Sequence, residues 1–353
     1  MRLRRPSGPR RNNVTADKNP SRSELDPDYI ALDITYRCDL ACSFCFMAKS
    51  ALRKPAGKEL TLAAWKKFID TLSSKPREFY IAGGEPCLRA DLPELVARIK
   101  ERGHRCLITT NGSALSVKTA RRLLEAGLDE ITVSLHGTPE LHDGSVGRKG
   151  AFAKVAAVCA FINASPLKGD TRLTFWCAIT PANHSVLHRV YKTLKALGPD
   201  HIAFNQLDFI TERDRAATAA LFKKDLGRAL NLKTSEALAA GISAPRLAAE
   251  IKKIKAERDP GVRFDLDLGP AGLKKWYAPE KKFLKKGFCL GQWNGIWVGP
   301  NGDIVSCQPL GHTMGNITEG DWLAAYNGPA YRKFRELLIK QGGFLPTCSR
   351  CGR

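Results

Sequence analysis

The sequence predicts an α/β chain built on a parallel sheet, and three observations carry that prediction. Between Tyr29 and Gln206 six short apolar runs of strand type alternate with five stretches of helical periodicity. Strands and helices in that alternation form parallel sheets joined by right-handed crossovers. The runs end at turn residues such as Gly83-Gly84 and Asn111-Gly112. A chain of 353 residues with 43% hydrophobic content also buries enough surface for one large domain and a smaller one.

The elements follow in order. Tyr29 to Ile34 alternates as a strand and runs into a cysteine-rich loop. After a connection through Pro55 and Gly57, Leu60–Ser73 places Leu62, Trp65, Phe68, Ile69 and Leu72 on one helical face. Glu78–Ala82 is a buried strand stopped by Gly83-Gly84-Glu85-Pro86, and a helix follows from about Asp91 with Pro93 in its first turn. Arg105–Thr110 is a strand ended by Asn111-Gly112, and Val117–Ala126 is a helix closed by Gly127. Strand Glu130–Leu135 precedes a loop from His136 to Gly150 and a helix from Ala151 to Asn163. Strand Arg172–Thr180, helix Ser185–Leu197 and strand His201–Gln206 complete the series. Ligand sites in such sheets lie at the carboxyl ends of the strands. The cysteine loop, the Gly-Gly-Glu turn, Thr110-Asn111 and Ser134–His136 therefore converge on one mouth.

Composition narrows the function classes. No run of about 18 apolar residues occurs, so nothing predicts a membrane span. Residues 1–27 read as a disordered basic tail, because Met1 to Pro20 is rich in Arg, Pro and Asn and has no signal-peptide core. Eleven cysteines without an export signal point to reduced thiols, metal sites and the cytoplasm. The net charge of +21 fits an anionic partner such as nucleic acid or a phosphorylated metabolite, or simply a basic protein. The cations are scattered (Arg2, Arg4, Arg5, Arg10 and Arg11 in the tail; Lys66, Lys67, Arg121 and Arg122 on helices; Lys274 to Lys286). No aromatic-interleaved RNA-binding motif appears, which speaks against a nucleic-acid substrate.

Chemistry concentrates in Asp33-Ile-Thr-Tyr-Arg-Cys38-Asp-Leu-Ala-Cys42-Ser-Phe44-Cys45. Thiolates suit iron–sulfur clusters and zinc. A structural zinc wants four ligands and this loop offers three, whereas a four-iron cube held by three thiolates keeps one iron open. The C-x3-C-x2-C spacing, with Phe44 before the last cysteine, resembles the signature of the radical S-adenosylmethionine (SAM) enzymes. The resemblance implies a partial (β/α)6 barrel in which Cys38, Cys42 and Cys45 hold a 4Fe–4S cluster and SAM chelates its open iron. It also implies reductive cleavage of SAM to a 5′-deoxyadenosyl radical that abstracts a substrate hydrogen. Gly83-Gly84-Glu85-Pro86 matches the family motif that binds the SAM ammonium group: glycines admit close approach of backbone carbonyls, and a carboxylate complements an amine. Thr110, Asn111, Ser134 and His136 fall where relatives contact SAM or substrate, although many relatives carry Asp in place of His136, and Asn111 equally suits a turn. Arg148, in the loop with His142-Asp143, can hold the SAM carboxylate by a bidentate contact or stand solvated.

From Thr211 the pattern changes to charged helices (Glu212–Leu230, Ser235–Ala240, Pro245–Glu257), followed by Asp265, Asp267 and the Gly269-Pro270 turn. Residues 211–286 are either a solvated linker or a cover over the substrate. In the last segment, alternation from Trp293 to Cys307 flanks the hairpin turn Pro300-Asn301-Gly302-Asp303, and a helix (about Pro329–Lys340) leads to Cys348-Ser-Arg-Cys351. Cys289, Cys307, Cys348 and Cys351 can close a zinc site or a cluster. Gly302, five residues before Cys307, resembles the start of the SPASM/twitch domains appended to many radical SAM enzymes. That implies a small α+β domain over 287–353 with an auxiliary 4Fe–4S cluster fully ligated by protein and working in electron transfer. A full SPASM domain carries more cysteines and a second auxiliary cluster, so the twitch type is expected.

Cys87, Cys106, Cys159 and Cys177 remain. Cys159 reads as a small core residue in a helix, and Cys106 opens the third strand, away from the mouth. Cys87 and Cys177 are candidate hydrogen-atom donors to a product radical, the alternative being a structural thiol. With a core over residues 28–210, the expected function is a radical SAM oxidoreductase acting on a small natural-product precursor or a peptide, with an electron donor such as flavodoxin or ferredoxin. The short stretch before the first strand lacks a leader-binding domain, which tilts the expectation toward small molecules or short peptides. Alternatives are a radical SAM enzyme acting on RNA or a tetrapyrrole, and a zinc-stabilised nucleic-acid-binding protein.

Overall fold

The computed structural model describes residues 24–45, 47, 58–280, 283 and 287–352. The basic tail up to residue 23, the Pro55–Gly57 connection and the lysines from 281 to 286 lie outside them. The expected series of parallel strands is present: β1 (Tyr29–Thr35), β2 (Glu78–Gly83), β3 (Arg105–Thr110), β4 (Glu130–Ser134), β5 (Arg172–Ala178) and β6 (His201–Asn205). Each pairs in parallel with the next. Between them run α1 (Leu62–Asp70), α2 (Leu92–Glu101), α3 (Val117–Glu125), α4 (Pro139–Val146), α5 (Ala151–Ala164) and α6 (Leu187–Lys195). Local chemistry starts these helices: the hydroxyls of Thr61 and Ser116 accept from the backbone N–H groups of Ala64 and Thr119, satisfying donors at the helix ends.

Alternation along the strands separates two faces. Phe79, Ile81, Ile108, Ile131, Val133, Leu173 and Phe175 are fully buried in one core with Trp65, Val96, Leu123, Val155 and Val190 of the helices. Their neighbours Tyr80, Leu107, Thr132, Ser134, Trp176 and Ala178 point to the opposite face and are only half-buried. A curled parallel sheet with helices outside and an accessible inner face is a partial barrel.

Several elements differ from expectation. Residues 136–150 contain a helix, α4, which ends at Gly147 in the left-handed conformation (φ 71°); Gly144 and Asp143, poor helix formers, made it read as loop. The helix expected over 212–230 is α7 (Glu212–Leu221) followed by a single wide turn, Phe222–Leu226, closed by Gly227. A seventh parallel strand, β7 (Val262–Phe264), extends the sheet beyond β6. The segment 211–286 is not a solvated linker: Phe222 and Leu247, Ile254 of α8 (Ala244–Ala256), and Leu273 of α9 (Pro270–Trp276), are buried in the main core.

The C-terminal segment joins the same sheet. After α10 (Gly291–Asn294) come β8 (Gly295–Val298), β9 (Asp303–Val305) and β10 (Thr313–Asn316), then α11 (Trp322–Tyr326) and α12 (Pro329–Lys340). β8 and β9 form the expected hairpin, with Gly302 at φ 89°, but β8 also pairs in parallel with β1. The sheet thus has ten strands in the order β10-β9-β8-β1-β2-β3-β4-β5-β6-β7.

Candidate functional site

The loop after β1 is held from three sides. The Gly-Gly turn after β2 lies directly under it: the N–H of Gly84 donates to Thr35 O at 2.7 Å and that of Glu85 to Arg37 O at 2.8 Å. A Cβ on Gly83 would stand 2.2 Å from Thr35 O, and one on Gly84 2.2 Å from Arg37 O. The glycines are therefore required here for the approach of the cysteine loop's own backbone. On the far side, Ala41 and Ser43 donate to the carbonyls of Val146 and Ser145 at the end of α4.

Glu85 is fully buried. Its carboxylate accepts from the Thr110 hydroxyl (2.7 Å), the Asn111 N–H (2.7 Å) and the Cys87 N–H (2.9 Å). Burial pushes its pKa up, and those hydrogen bonds oppose the shift. The side chain sits inside the turn as a brace between the ends of β2 and β3. Asn111 extends the brace, its amide lying 3.6 Å from the Cys38 sulfur. Burial, Glu85, Asp39 and Cys45 all push the Cys38 thiol up; a bound cation would reverse that balance.

Asp39, which sequence reasoning passed over, is the second anchor. It accepts from Ser113 (2.7 and 2.8 Å) and from Arg148 (2.6 Å), which also donates to the Asp39 carbonyl at 2.6 Å. Burial alone would raise its pKa, but the bonds from Ser113, Arg148 and Asn111 outweigh it and hold it low. Arg148 thus grips the cysteine loop itself. His136 is buried at the mouth, its ring edge-on to Phe44 at 4.6 Å and stacked on His142 at 5.8 Å. Its Nδ1 accepts from Ala178 N–H, and burial pushes its pKa down to about 3. Ser134 ends β4 opposite Trp176, on the open face.

The two candidate hydrogen donors lie elsewhere. Cys177 shares the helix-packed face with Phe175 and Ile179 and is wholly buried in the core. Cys87 is buried behind the turn, donating to Thr110 at 3.5 Å. Burial raises both thiols. Neither thiol faces the open side of the sheet.

Burial sorts the eleven cysteines. Cys87, Cys106, Cys159 and Cys177 are buried, and the seven of the two loop sets are half-buried. Cys289, Cys307 and Cys351 are close enough to raise the Cys348 thiol together, after burial. A cavity of about 360 Å³ is lined by Cys307, Cys348 and Cys351, and the neighbouring Ser306 hydroxyl is buried with no hydrogen-bond partner. Among the described residues no three His, Cys, Asp or Glu side chains close on a single metal ion; a four-iron cube takes its thiolates at separate corners, farther apart than ligands of one ion. The donor sets fit clusters at both places, and the cavity supplies the space at the second. Arg350, between two of these cysteines and almost fully buried, donates to Trp276 O (2.7 Å) and Ala278 O (2.8 Å). It latches the C-terminal cysteine pair onto segment 211–286. Phe44 in turn packs against the cluster that Leu238, Ala239 and Trp276 form with Leu207 and Phe209, so the same segment contributes to the surroundings of both cysteine sets.

A parallel partial barrel with a three-thiol loop at its mouth and a four-thiol domain on its first strand is the architecture of an iron–sulfur enzyme. Residues 32–175 match the family model of the radical SAM superfamily, and residues 289–352 that of the SPASM iron–sulfur cluster-binding domain. The protein belongs to the radical SAM superfamily and carries a SPASM-type domain, with SAM and 4Fe–4S clusters as its cofactors. Both cysteine sets fall in iron–sulfur families, which leaves the zinc-protein alternative without support. The chain is 38% identical to the Fe-coproporphyrin III synthase of Methanosarcina barkeri over 35% of this chain and 31% of that one. It is 29% identical to the PqqA peptide cyclase of Ruegeria pomeroyi over 95% of this chain and 82% of the relative. The chain spans a third to a half of the first two relatives' length. Among solved structures, Streptococcus suis SuiB bound to S-adenosylmethionine shares the fold, with a TM-score of 0.62 at 17% identity over 88% of this chain and 68% of that one.

Proposed function

We propose that the protein is a radical SAM enzyme that oxidatively modifies a peptide. The observation that carries this reading is the chemistry of the open sheet face. The charged side chains that β2 to β5 place on it are paired along the strand starts, Arg105 with Glu78 (2.8 Å) and Glu130 (3.5 Å), and Arg172 with Glu130 (2.7 Å). Above them stand neutral groups, Thr109, Thr132, Ser134, Trp176 and Asn205, half-buried along β3 to β6. Oδ1 of Asn205 and Nε2 of Gln206 are buried without partners, an acceptor and a donor that match a peptide group. A polycarboxylate such as a tetrapyrrole calls for unpaired cations at the mouth, and Arg37 and Arg148 are engaged by Glu59 and Asp39. Near-full-length similarity to the PqqA peptide cyclase supports the same reading.

When bound at Cys38, Cys42 and Cys45, the cluster and SAM supply one-electron cleavage and hence hydrogen-atom abstraction. The chain's own residues hold that loop in place through Glu85, Asn111, Asp39 and Arg148. Gly83, Gly84 and Pro86 shape the turn beneath it, beside the SAM site. Segment 211–286 covers the mouth, and Cys289, Cys307, Cys348 and Cys351 hold the cluster that takes up the substrate's electron. A flavodoxin- or ferredoxin-like carrier serves as donor, and the thiol-rich chain suits the reducing cytoplasm.

The second reading, a tetrapyrrole substrate, draws on the similarity to the coproporphyrin synthase and the +21 charge. Anaerobic reaction of the reconstituted protein with dithionite, SAM and either a randomised peptide library or iron coproporphyrin III separates the two. Peptides that lose two hydrogens support the proposal; conversion of the porphyrin with peptides unchanged overturns it.

A further inference from the structure

Asp33 is fully buried on β1, five residues before the first cluster cysteine. Its carboxylate faces away from the helix-packed core and takes no part in the turn or loop contacts described above. Nε2 of Gln308 donates to both of its oxygens, at 2.7 and 2.9 Å, and Nε1 of Trp297 donates to it at 2.9 Å. Gln308 directly follows the auxiliary-cluster ligand Cys307 and is itself buried, and Trp297 lies on β8. A carboxylate out of water needs such donors to remain charged. These three bonds all come from the C-terminal domain. The register allows it: Ala31 is the partner of both Tyr80 and Trp297, and its small side chain lets those two rings meet edge to face at 6.3 Å beside the carboxylate. Tyr36 reinforces the contact: its hydroxyl would lie 3.2 Å from a Cβ on Gly299 of the hairpin.

We propose that Asp33 is a positioning residue that ties the auxiliary-cluster loop at Cys307 to the strand carrying the SAM-cluster loop. One buried carboxylate thereby fixes the placement of the second cluster relative to the first. This inference rests on the two clusters alone and is independent of the substrate. Groups that orient metal ligands from one step away typically change metal affinity or activity by about 10–100-fold when removed.

The test uses the reconstituted full chain and two readouts that need no substrate: the electron paramagnetic resonance spectrum with the auxiliary cluster reduced, and the rate at which that cluster is lost to a chelator. Asp33→Ala and Gln308→Ala should each alter the spectrum and speed auxiliary-cluster loss by roughly tenfold or more, while loss of the SAM cluster changes little. The exchanged pair D33N/Q308E returns an amide–carboxylate bond with the charge on the other partner, and should restore both readouts. An unchanged spectrum and loss rate in a folded Gln308→Ala protein would overturn the proposal, even if Asp33→Ala fails to fold. Equal loss of both clusters, or no rescue in the exchanged pair, would overturn it as well.

Discussion

The Asn111 amide lies 3.6 Å from the Cys38 sulfur while the same residue's backbone N–H donates to Glu85 at 2.7 Å. One residue thus connects the cluster loop to the acidic residue of the Gly-Gly-Glu turn. A carboxylate placed only to meet SAM would cost little to remove in the absence of SAM. In this site Glu85→Ala leaves three buried donors without their acceptor, each costing about 1–3 kcal/mol. Chemical denaturation of the iron-free variant should show a loss of roughly 3 kcal/mol or more, and Glu85→Gln a smaller loss. Unchanged stability in Glu85→Ala would contradict the brace.

Gly84→Ala tests the turn from the other side. Its methyl carbon would fall 2.2 Å from Arg37 O, so backbone must move and the cysteine loop moves with it. The variant should fold, retain the auxiliary cluster and lose most of the SAM cluster. Iron content near half the wild-type value, with SAM cleavage lost, is the expected result.

Cysteine replacements separate the two centres. The parent chain should carry about eight irons. Cys38→Ala, Cys42→Ala or Cys45→Ala should abolish SAM cleavage, whereas Cys348→Ala should leave cleavage to 5′-deoxyadenosine largely intact and stop product formation. Iron and sulfide analysis with chromatographic detection of 5′-deoxyadenosine reads both; cleavage lost in a folded Cys348→Ala protein would remove the electron-transfer role.

His136 and His142 give a pH signature. Burial pushes their pKa values down to about 3 and about 4 from 6.5, so the unfolded chain takes up protons that the native rings refuse. Their contribution is intact above pH 6.5 and is lost progressively as pH falls toward 4. The stability slope there approaches roughly 1.4 kcal/mol per pH unit for each ring. Urea midpoints measured from pH 7 to pH 4.5 should fall, and His136→Gln should flatten the fall.

The cysteine spacing, the alternation of strands and helices from β1 to β6 and the glycine turn were legible because each is local: a few adjacent residues state the chemistry. The side of the sheet on which Cys177 lies was also legible, since it shares parity with Leu173, Phe175 and Ile179. The bracing role of Glu85 was not, because sequence shows a carboxylate beside a turn but not that donors from that turn and from the end of β3 enclose it. Asp39 and Arg350 were hidden among the ligands they support, where the thiols dominate the pattern. Asp33 and Gln308 lie 275 positions apart, and nothing near either names the other. β7 escaped notice because three residues of half-buried strand leave too short an alternation to read.

The pairing of β8 with β1 has a consequence for how the molecule is made. β1 is a central strand whose second neighbour is encoded near the end of the chain. Until residues 295–298 dock, that edge presents unpaired backbone groups beside a thiol-rich loop, a template for wrong pairing. Contacts of such sequence separation form slowly, and domains otherwise fold as synthesis proceeds from the N-terminus. The first cluster site in the sequence therefore acquires its finished surroundings late, and iron delivery that precedes the docking of β8 meets a half-built cradle.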